Sequence, residues 1–474
     1  MPPRNPIRRF SNLVSLKLSA SKPIEQPAPS AEGTRTLAQF LSTSREKYLN
    51  DIRAEPHKGA EWTVVMGNEA GDLDSLASSV AFAWLQSEIY KKPTIPLLQL
   101  ERDDIDLRAE NIHALHLAGI TKPKEELLYL TDVKGFSPFP SQNFALVDHN
   151  RLGALYTAAN PSAKIIAVLD HHEDEGLYKD TASPRTIEPS GSCASHVAAL
   201  CPPELPADLA TLLLTAILID TNGLKPGGKA LATDIYAAGF LASRSTFASK
   251  LPGKLVTALL DDPKAGPGPN ALYEASAIRE LTATLVAKKG GVSHLSGRDL
   301  LRRDYKDYQY VVDGKTVRAG LASVPVPLKA WGKGGKFEEA AVAWMREREL
   351  VVLGVLTSFR DSDTFGGSGK GKHRREQAWL VYDAPAEGKE KAADGEAVNV
   401  EKLAARLWNG LEDNVELKLK KHKKFDFEKG DNLPSGAKGR GYNQKNVNAT
   451  RKVTAPVLKN IFEVPEPAAT PEKN

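Results

Sequence analysis

Short apolar runs recur along the first half of the chain, at intervals that leave room for a helix between them. Trp62-Thr-Val-Val-Met66 is a short, largely apolar stretch, and Ile95–Leu98, Leu127–Leu130, Phe144–Val147 and Lys164–Leu169 repeat the theme. Runs this short, bounded by polar residues, predict buried strands. Between and before them, Asp74 to Ile89 and Leu37 to about Ile52 carry the three-to-four-residue apolar spacing of amphipathic helices. Strands alternating with helices predict an α/β fold built on a doubly wound parallel sheet. Ala210–Ile219 fits strand or helix by periodicity, and its Leu/Ala content favours helix.

The pattern changes after residue 250. Residues 251–270 end in the Pro/Gly-rich stretch DDPKAGPGPN, a chain breaker taken as the domain boundary. Beyond it the sequence predicts a helix at about 271–289 and strands at Tyr308–Val312, Ala319–Ser323, Leu350–Thr357 and Ala378–Tyr382. Helices are expected near 338–349 and 401–413, which makes a smaller α+β domain. Residues 361–375 and 384–397 read as loops. The expected organisation is a basic tail (1–35), a first domain (36–250), a linker (251–270), a second domain (271–465) and a short tail (466–474), with the site between the two domains.

The 474 residues exceed what one core usually fills, which supports two domains. A net charge of +4 leaves any polyanion affinity to local basic clusters. Two cysteines, Cys193 and Cys201, exclude a disulfide framework and a thiolate metal site, and fit a reducing compartment. Leu209–Ile219, the most apolar stretch, falls short of the roughly 20 residues of a membrane span. No membrane association is expected, and the cytoplasm is the expected location. The first 24 residues lack acidic side chains and alternate Arg8, Arg9 and Lys17 with Phe10, Leu13 and Leu16. That is the composition of a mitochondrial transit peptide, which would send the chain to the matrix; the competing reading is a disordered basic tail.

Chemistry gathers where the apolar runs stop. Trp62–Met66 leads into Gly67-Asn-Glu-Ala-Gly-Asp72-Leu-Asp74-Ser75. Phe144–Val147 leads into Asp148-His149-Asn150, Lys164–Leu169 into Asp170-His171-His172, and Ala216–Ile219 into Asp220-Thr221. Ligands of open α/β sheets bind at the carboxyl ends of the strands, where the first three of these fall. Carboxylates suit hard divalent cations, and imidazole adds affinity for Mn²⁺, Co²⁺ or Zn²⁺. Asp72 and Asp74, two residues apart in a loop, can each face a different ion, with Asp148 or Asp220 shared between them. A pair of ions about 3.5–4 Å apart can activate a water and clamp both oxygens of a phosphoryl displacement. Any one Asp at a strand end is more often a helix cap. Four such sites in one domain, with no competing nucleophile or cofactor motif, favour the metal reading.

The order N-E-A-G-D-L-D-S, V-D-H-N, L-D-H-H, I-D-T resembles the motifs of the DHH phosphoesterase superfamily. Leu300-Leu-Arg-Arg-Asp304-Tyr-Lys306, His373-Arg374 and Asn448-Ala-Thr-Arg451-Lys452-Val resemble the associated second domain of its exopolyphosphatase and family II pyrophosphatase branch. The resemblance spans about residues 36–465 and is strongest to the eukaryotic exopolyphosphatases, with prune-type phosphodiesterases as neighbours. It implies that Asp72, Asp74, Asp148, His171 and Asp220 hold two divalent ions, Mg²⁺ or Mn²⁺ with Co²⁺ as a further choice. It implies that His172 orients the substrate or nucleophile, and that Lys306, Arg451 and Lys452, joined by His373 and Arg374, grip phosphates. Asp148, as shared ligand, and His172 are the expected catalytic residues. The implied reaction is metal-activated hydroxide attacking a terminal phosphorus of polyphosphate. Family II pyrophosphatases resemble this chain except for a histidine at the position of Asn68. The amide carbonyl is a weaker ligand there and would favour Mg²⁺. Prune-like proteins tend to depart from the Asp-His-His triplet that is intact here.

Ser190–Ser195 precedes a helical stretch, where Ser192 either contacts phosphate or simply caps the helix. Lys418–Lys424 is the densest basic run and reads as a solvated face or a guide for a long polyanion. His149 has no assigned role. The expected partner is a phosphoanhydride, with no specific nucleic acid, and the expected state a monomer. The alternatives are a pyrophosphatase, a prune-like nucleotide phosphodiesterase, and a polyanion-binding adaptor with a weakened site.

Overall fold

A computed structural model describes residues 35–54, 56–262, 270–331, 336–361, 371–383, 398–423, 425, 427 and 432–463. The basic N-terminus, the loop at 384–397 and most of 361–375 lie outside the described residues. No helix among those described is long and apolar enough to cross a membrane.

The first sheet has six strands: β1 (Thr63–Met66), β2 (Thr94–Leu98), β3 (Leu128–Tyr129), β4 (Asn143–Val147), β5 (Lys164–Asp170) and β6 (Arg185–Ile187). They lie in the order β3-β2-β1-β4-β5-β6, parallel throughout. Both faces are covered, so the strands read as continuous apolar runs and not as alternations. Val65, Ala145 and Val147 face one core; Val64, Met66, Phe144 and Leu146 face the other. The chain builds outward from β1 to β3 and then returns to place β4 on the far side of β1. This reversal is a topological switch point, where the carboxyl ends of β1 and β4 open a crevice.

The stretch expected as one helix from Asp74 to Ile89 is an α-helix at Leu73–Trp84 that widens into a π-turn at Leu85–Ile89. Ala207–Asp220 is a helix buried along nearly its whole length, which explains why its apolar pattern shows no face. The first core also runs past the Pro/Gly stretch. Leu272, Ile278, Leu281 and Leu285, from residues expected to open the second domain, pack in it.

The second sheet holds β7 (Tyr305–Val312), β8 (Lys315–Val324), β9 (Val352–Thr357), β10 (Phe359–Arg360), β11 (His373–Val381), β12 (Leu419–Lys421) and β13 (Lys438–Gln444). The order is β12-β13-β11-β9-β8-β7, with β10 paired to β11. Helices Val400–Glu412 and Arg451–Glu463 cover one face and Lys336–Glu347 the other.

The two sheets' domains are tied by a buried charge network. Arg303 donates from Nη2 to Glu110 Oε1 (2.8 Å) and from Nε to the Leu107 carbonyl (2.9 Å). Arg108 lies 3.5 Å from the same Glu110 oxygen, and its Nη2 donates to the carbonyls of Ala70 (2.7 Å) and Arg303 (2.8 Å). Arg302 and Asp104 form a further ion pair across the junction.

Candidate metal and phosphate site

Asn68 and Asp148 meet at the switch point. Asn68 Nδ2 donates to Asp148 Oδ2 (2.7 Å), and the Ser75 hydroxyl donates to the same oxygen (2.7 Å). Asp148 has a φ of 61°, a left-handed conformation uncommon for a residue with a Cβ and tolerated best by Asn and Asp. Its remaining oxygen, Oδ1, is 3.3 Å from His171 Nε2 and 3.6 Å from His172 Nδ1. Asp148, His171 and His172 each offer one ligand atom, all within 4.8 Å of one another.

Asp74 sits in the first turn of the helix Leu73–Trp84, buried, with Oδ2 at 3.9 Å from His171 Nε2. Its carboxylate is held by the turn at 192–194: Ser192 Oγ and the Ala194 amide donate to Oδ1, and the Cys193 amide donates to Oδ2. The Ser192 turn therefore grips an aspartate of the candidate site, with the Ser192 hydroxyl engaged by Asp74. Asp72 caps the same helix, its Oδ1 accepting from the Ser75 amide. Capping uses one oxygen and leaves the other, so capping and ligand roles are compatible. Asp220 ends the helix Ala207–Asp220, 3.7 Å from Lys289 Nζ.

Asn68 is held on both sides: its side-chain oxygen accepts from the Ala70 amide (2.9 Å), and its nitrogen positions Asp148.

The cluster is short of positive charge. Burial, then the charge of Asp148, pushes Asp74 up to about 7. Burial and Asp72 push Asp148 up to about 6. Burial raises Asp220 to about 7 despite Lys289, with Asp74 and Asp72 adding to the rise. Burial opposes charge on His171, but the hydrogen bond to Asp148 and the charges of Asp74 and Asp148 raise it to about 9. Asp170 behaves oppositely: burial is overcome by hydrogen bonds from His172 and Asn150, which hold it at about 2. His172 Nδ1 lies 2.6 Å from the Asp170 carboxylate, which orients the ring.

The second domain brings cations. Lys452 lies near enough for its charge to depress the His171 pKa, and Lys306 acts in the same way on His149. Arg451 feels Asp72 but is anchored by Asp304, 2.8 Å from its carboxylate, donating also to its carbonyl (2.9 Å). Burial notwithstanding, Arg451 and Arg108 hold the Asp304 carboxyl far below its usual range. His373 and Arg374 are elsewhere. His373 Nε2 pairs with Ser358 Oγ, and Arg374 forms a two-pronged ion pair with Asp361. Nothing among the described residues joins them to the cluster, against the expectation. His149 is half-buried with its ring nitrogens shielded, and burial lowers its pKa to about 4; Nδ1 is bound to the Val147 carbonyl and Nε2 has no partner among the described residues.

Two family models match the chain: the DHH family, N-terminal domain, over residues 62–217, and the DHHA2 domain over 283–461. A candidate exopolyphosphatase of Schizosaccharomyces pombe is 30% identical over 356 residues, covering 70% of this chain and 82% of that protein. The chain belongs to the DHH family. Exopolyphosphatase PRUNE1 of Mus musculus is 27% identical over 60% of this chain and 57% of its own. The structure of a candidate family II inorganic pyrophosphatase from Methanococcus jannaschii aligns over 84% of this chain and 99% of its own, at 18% identity and a TM-score of 0.47.

In this DHH chain the crowded carboxylates have a stability signature. Their folded pKa values lie above the unfolded value of about 3.9, so their contribution is full below that pH and lost as pH rises through 6 to 7. Chelator-treated protein should therefore melt at falling temperature between about pH 4 and pH 7. Asp74→Asn should flatten the decline. Thermal melts across that range check this, and an unchanged slope in the variant would contradict the charge crowding.

Proposed function

We propose that this DHH protein is a metal-dependent exopolyphosphatase that releases orthophosphate from the end of inorganic polyphosphate. Its family membership makes it a hydrolase of phosphoanhydrides. The observation that carries the finer reading is an under-neutralised carboxylate–imidazole cluster whose His171 feels the charge of Lys452 from the second domain, while Lys306 acts on the neighbouring His149. The donor set fits divalent ions, because carboxylate oxygens and one imidazole nitrogen suit Mg²⁺, Mn²⁺ or Co²⁺ and the cluster lacks compensating charge. Asp72, Asp74, Asp148, His171 and Asp220 would hold them. Bound there, the ions would supply Lewis-acid activation of water and of phosphoryl oxygens.

The chain's own groups divide the remaining work. His172, oriented by Asp170, is the group that would accept a proton from a water or orient it. Lys306 and Lys452 neutralise phosphate oxygens, and Arg451, braced by Asp304, adds a fixed cation. Water adds to the terminal phosphorus, the P–O–P bond breaks, and orthophosphate and a shortened chain leave.

The test is phosphate release from polyphosphate, pyrophosphate and a cyclic nucleotide, side by side with Mg²⁺ and with Mn²⁺. Release from pyrophosphate or the cyclic nucleotide alone would overturn the reading. Lys452 gives a second test. It is exposed, so Lys452→Ala should fold normally and lower kcat/KM for polyphosphate roughly ten- to a hundredfold, a charge-assisted contact being worth about 1.5–3 kcal/mol. Arg451→Ala should do the same with an added loss of stability from the unpaired Asp304. Unchanged kinetics in both would remove the second domain from catalysis.

A further inference from the structure

The second domain carries a basic groove that the catalytic scheme does not use. It has a volume of about 560 Å³ and runs along the end of the second sheet where β11, β12 and β13 meet. Lys329, Lys420, Lys421, Lys423 and Lys445 line it, all exposed, and no acidic side chain among the described residues pairs with any of them. Arg375, half-buried on the same wall, donates from Nε to the Val447 carbonyl (2.7 Å), and no carboxylate among the described residues pairs with it. The acids that do line the groove are engaged. Asp361 holds Arg374, and Glu376 accepts from the Leu328 amide and contacts His422. A half-buried guanidinium without a counter-ion is costly unless an anion completes it.

We propose that this groove binds the distal part of a polyphosphate chain whose terminus occupies the site between the domains. The inference rests on the exopolyphosphatase reading and extends it to substrate length. Two features select a bare phosphate chain. Lysine ammonium groups act as point charges that follow an irregular polyanion without demanding one geometry. Single-stranded nucleic acid is held by aromatic stacking platforms, and Phe359 is the one Phe, Tyr or Trp ring lining the groove. The groove also shares a segment with the candidate site. Val447, pinned by Arg375, lies four residues before Arg451 in the loop that leads from β13 to that residue.

The test uses the full chain with Lys420→Gln, Lys421→Gln and Lys423→Gln combined; all three side chains are exposed. Hydrolysis of tripolyphosphate should keep its kcat and KM, which also verifies folding. For long-chain polyphosphate KM should rise about tenfold. Equilibrium binding of long chains, measured in an Asp148→Asn background, should weaken equally. Its log-log salt dependence should become shallower by roughly 2, at about 0.7 per lost contact. Unchanged binding of long chains would overturn the proposal, as would equal losses for tripolyphosphate and long chains. A single-stranded RNA bound as tightly as polyphosphate, and lost in the same variant, would overturn the assignment to a bare phosphate chain. If the wild type binds long polyphosphate through these lysines yet releases no phosphate from it, the groove stands and the exopolyphosphatase reading falls.

Discussion

Asp148→Asn should fold as the wild type does and lose turnover by about a thousandfold or more, equivalent to ~4 kcal/mol of transition-state stabilisation. The substitution suits the local structure. Asparagine tolerates the left-handed φ of 61° at this position, where alanine would add strain. Its carbonyl oxygen can replace Oδ2 and keep the hydrogen bonds from Asn68 and Ser75. Its amide nitrogen then replaces Oδ1 beside His171, so one negative charge disappears and the packing stays. The variant should bind Mg²⁺ and Mn²⁺ more weakly in calorimetric titrations, and saturating metal should not restore phosphate release. Near-normal release at high Mg²⁺ would remove Asp148 from the metal site.

The second large effect is on stability. Arg303→Met should cost roughly 3–5 kcal/mol, because it leaves Glu110 buried with only the longer contact to Arg108. It also removes the donor to the Leu107 carbonyl. A fall in melting temperature on the order of 10 °C is expected. Replacing Glu110 by Leu in the same chain should recover part of the loss, since removing both partners avoids the orphaned charge. A melting temperature equal to wild type in Arg303→Met would show that the two domains are held by other contacts.

The first sheet was legible because its strands are buried on both faces. Trp62–Met66, Phe144–Val147 and Lys164–Leu169 stand out as apolar runs, and the residues after them fall at one edge by topology alone. The second sheet was partly hidden. β13 is rich in Gly and polar residues, and β12 lies inside a lysine run, so neither carries an apolar signal. The Asp148–His171 contact could be anticipated from motif order. The grip of residues 192–194 on Asp74 could not, because it joins positions nearly 120 apart through backbone amides. Arg374 was assigned to phosphate by its motif and is instead paired with Asp361, a contact set by the β10–β11 pairing. The packing of Leu272, Ile278, Leu281 and Leu285 in the first core was not legible, because a Pro/Gly stretch in sequence does not say on which core the following helix packs.

Cys193 gives the site an internal reporter. Its amide holds Asp74, its thiol donates to the Leu169 carbonyl, and burial raises its pKa well above the usual thiol range. Thiolate is the reactive form, so alkylating agents and peroxide have almost nothing to attack while this turn is closed. The half-buried Cys201, pushed up to about 12, is similarly inert. Labelling of Cys193 can therefore proceed only through openings that also release Asp74, and its rate reads how often this turn comes apart.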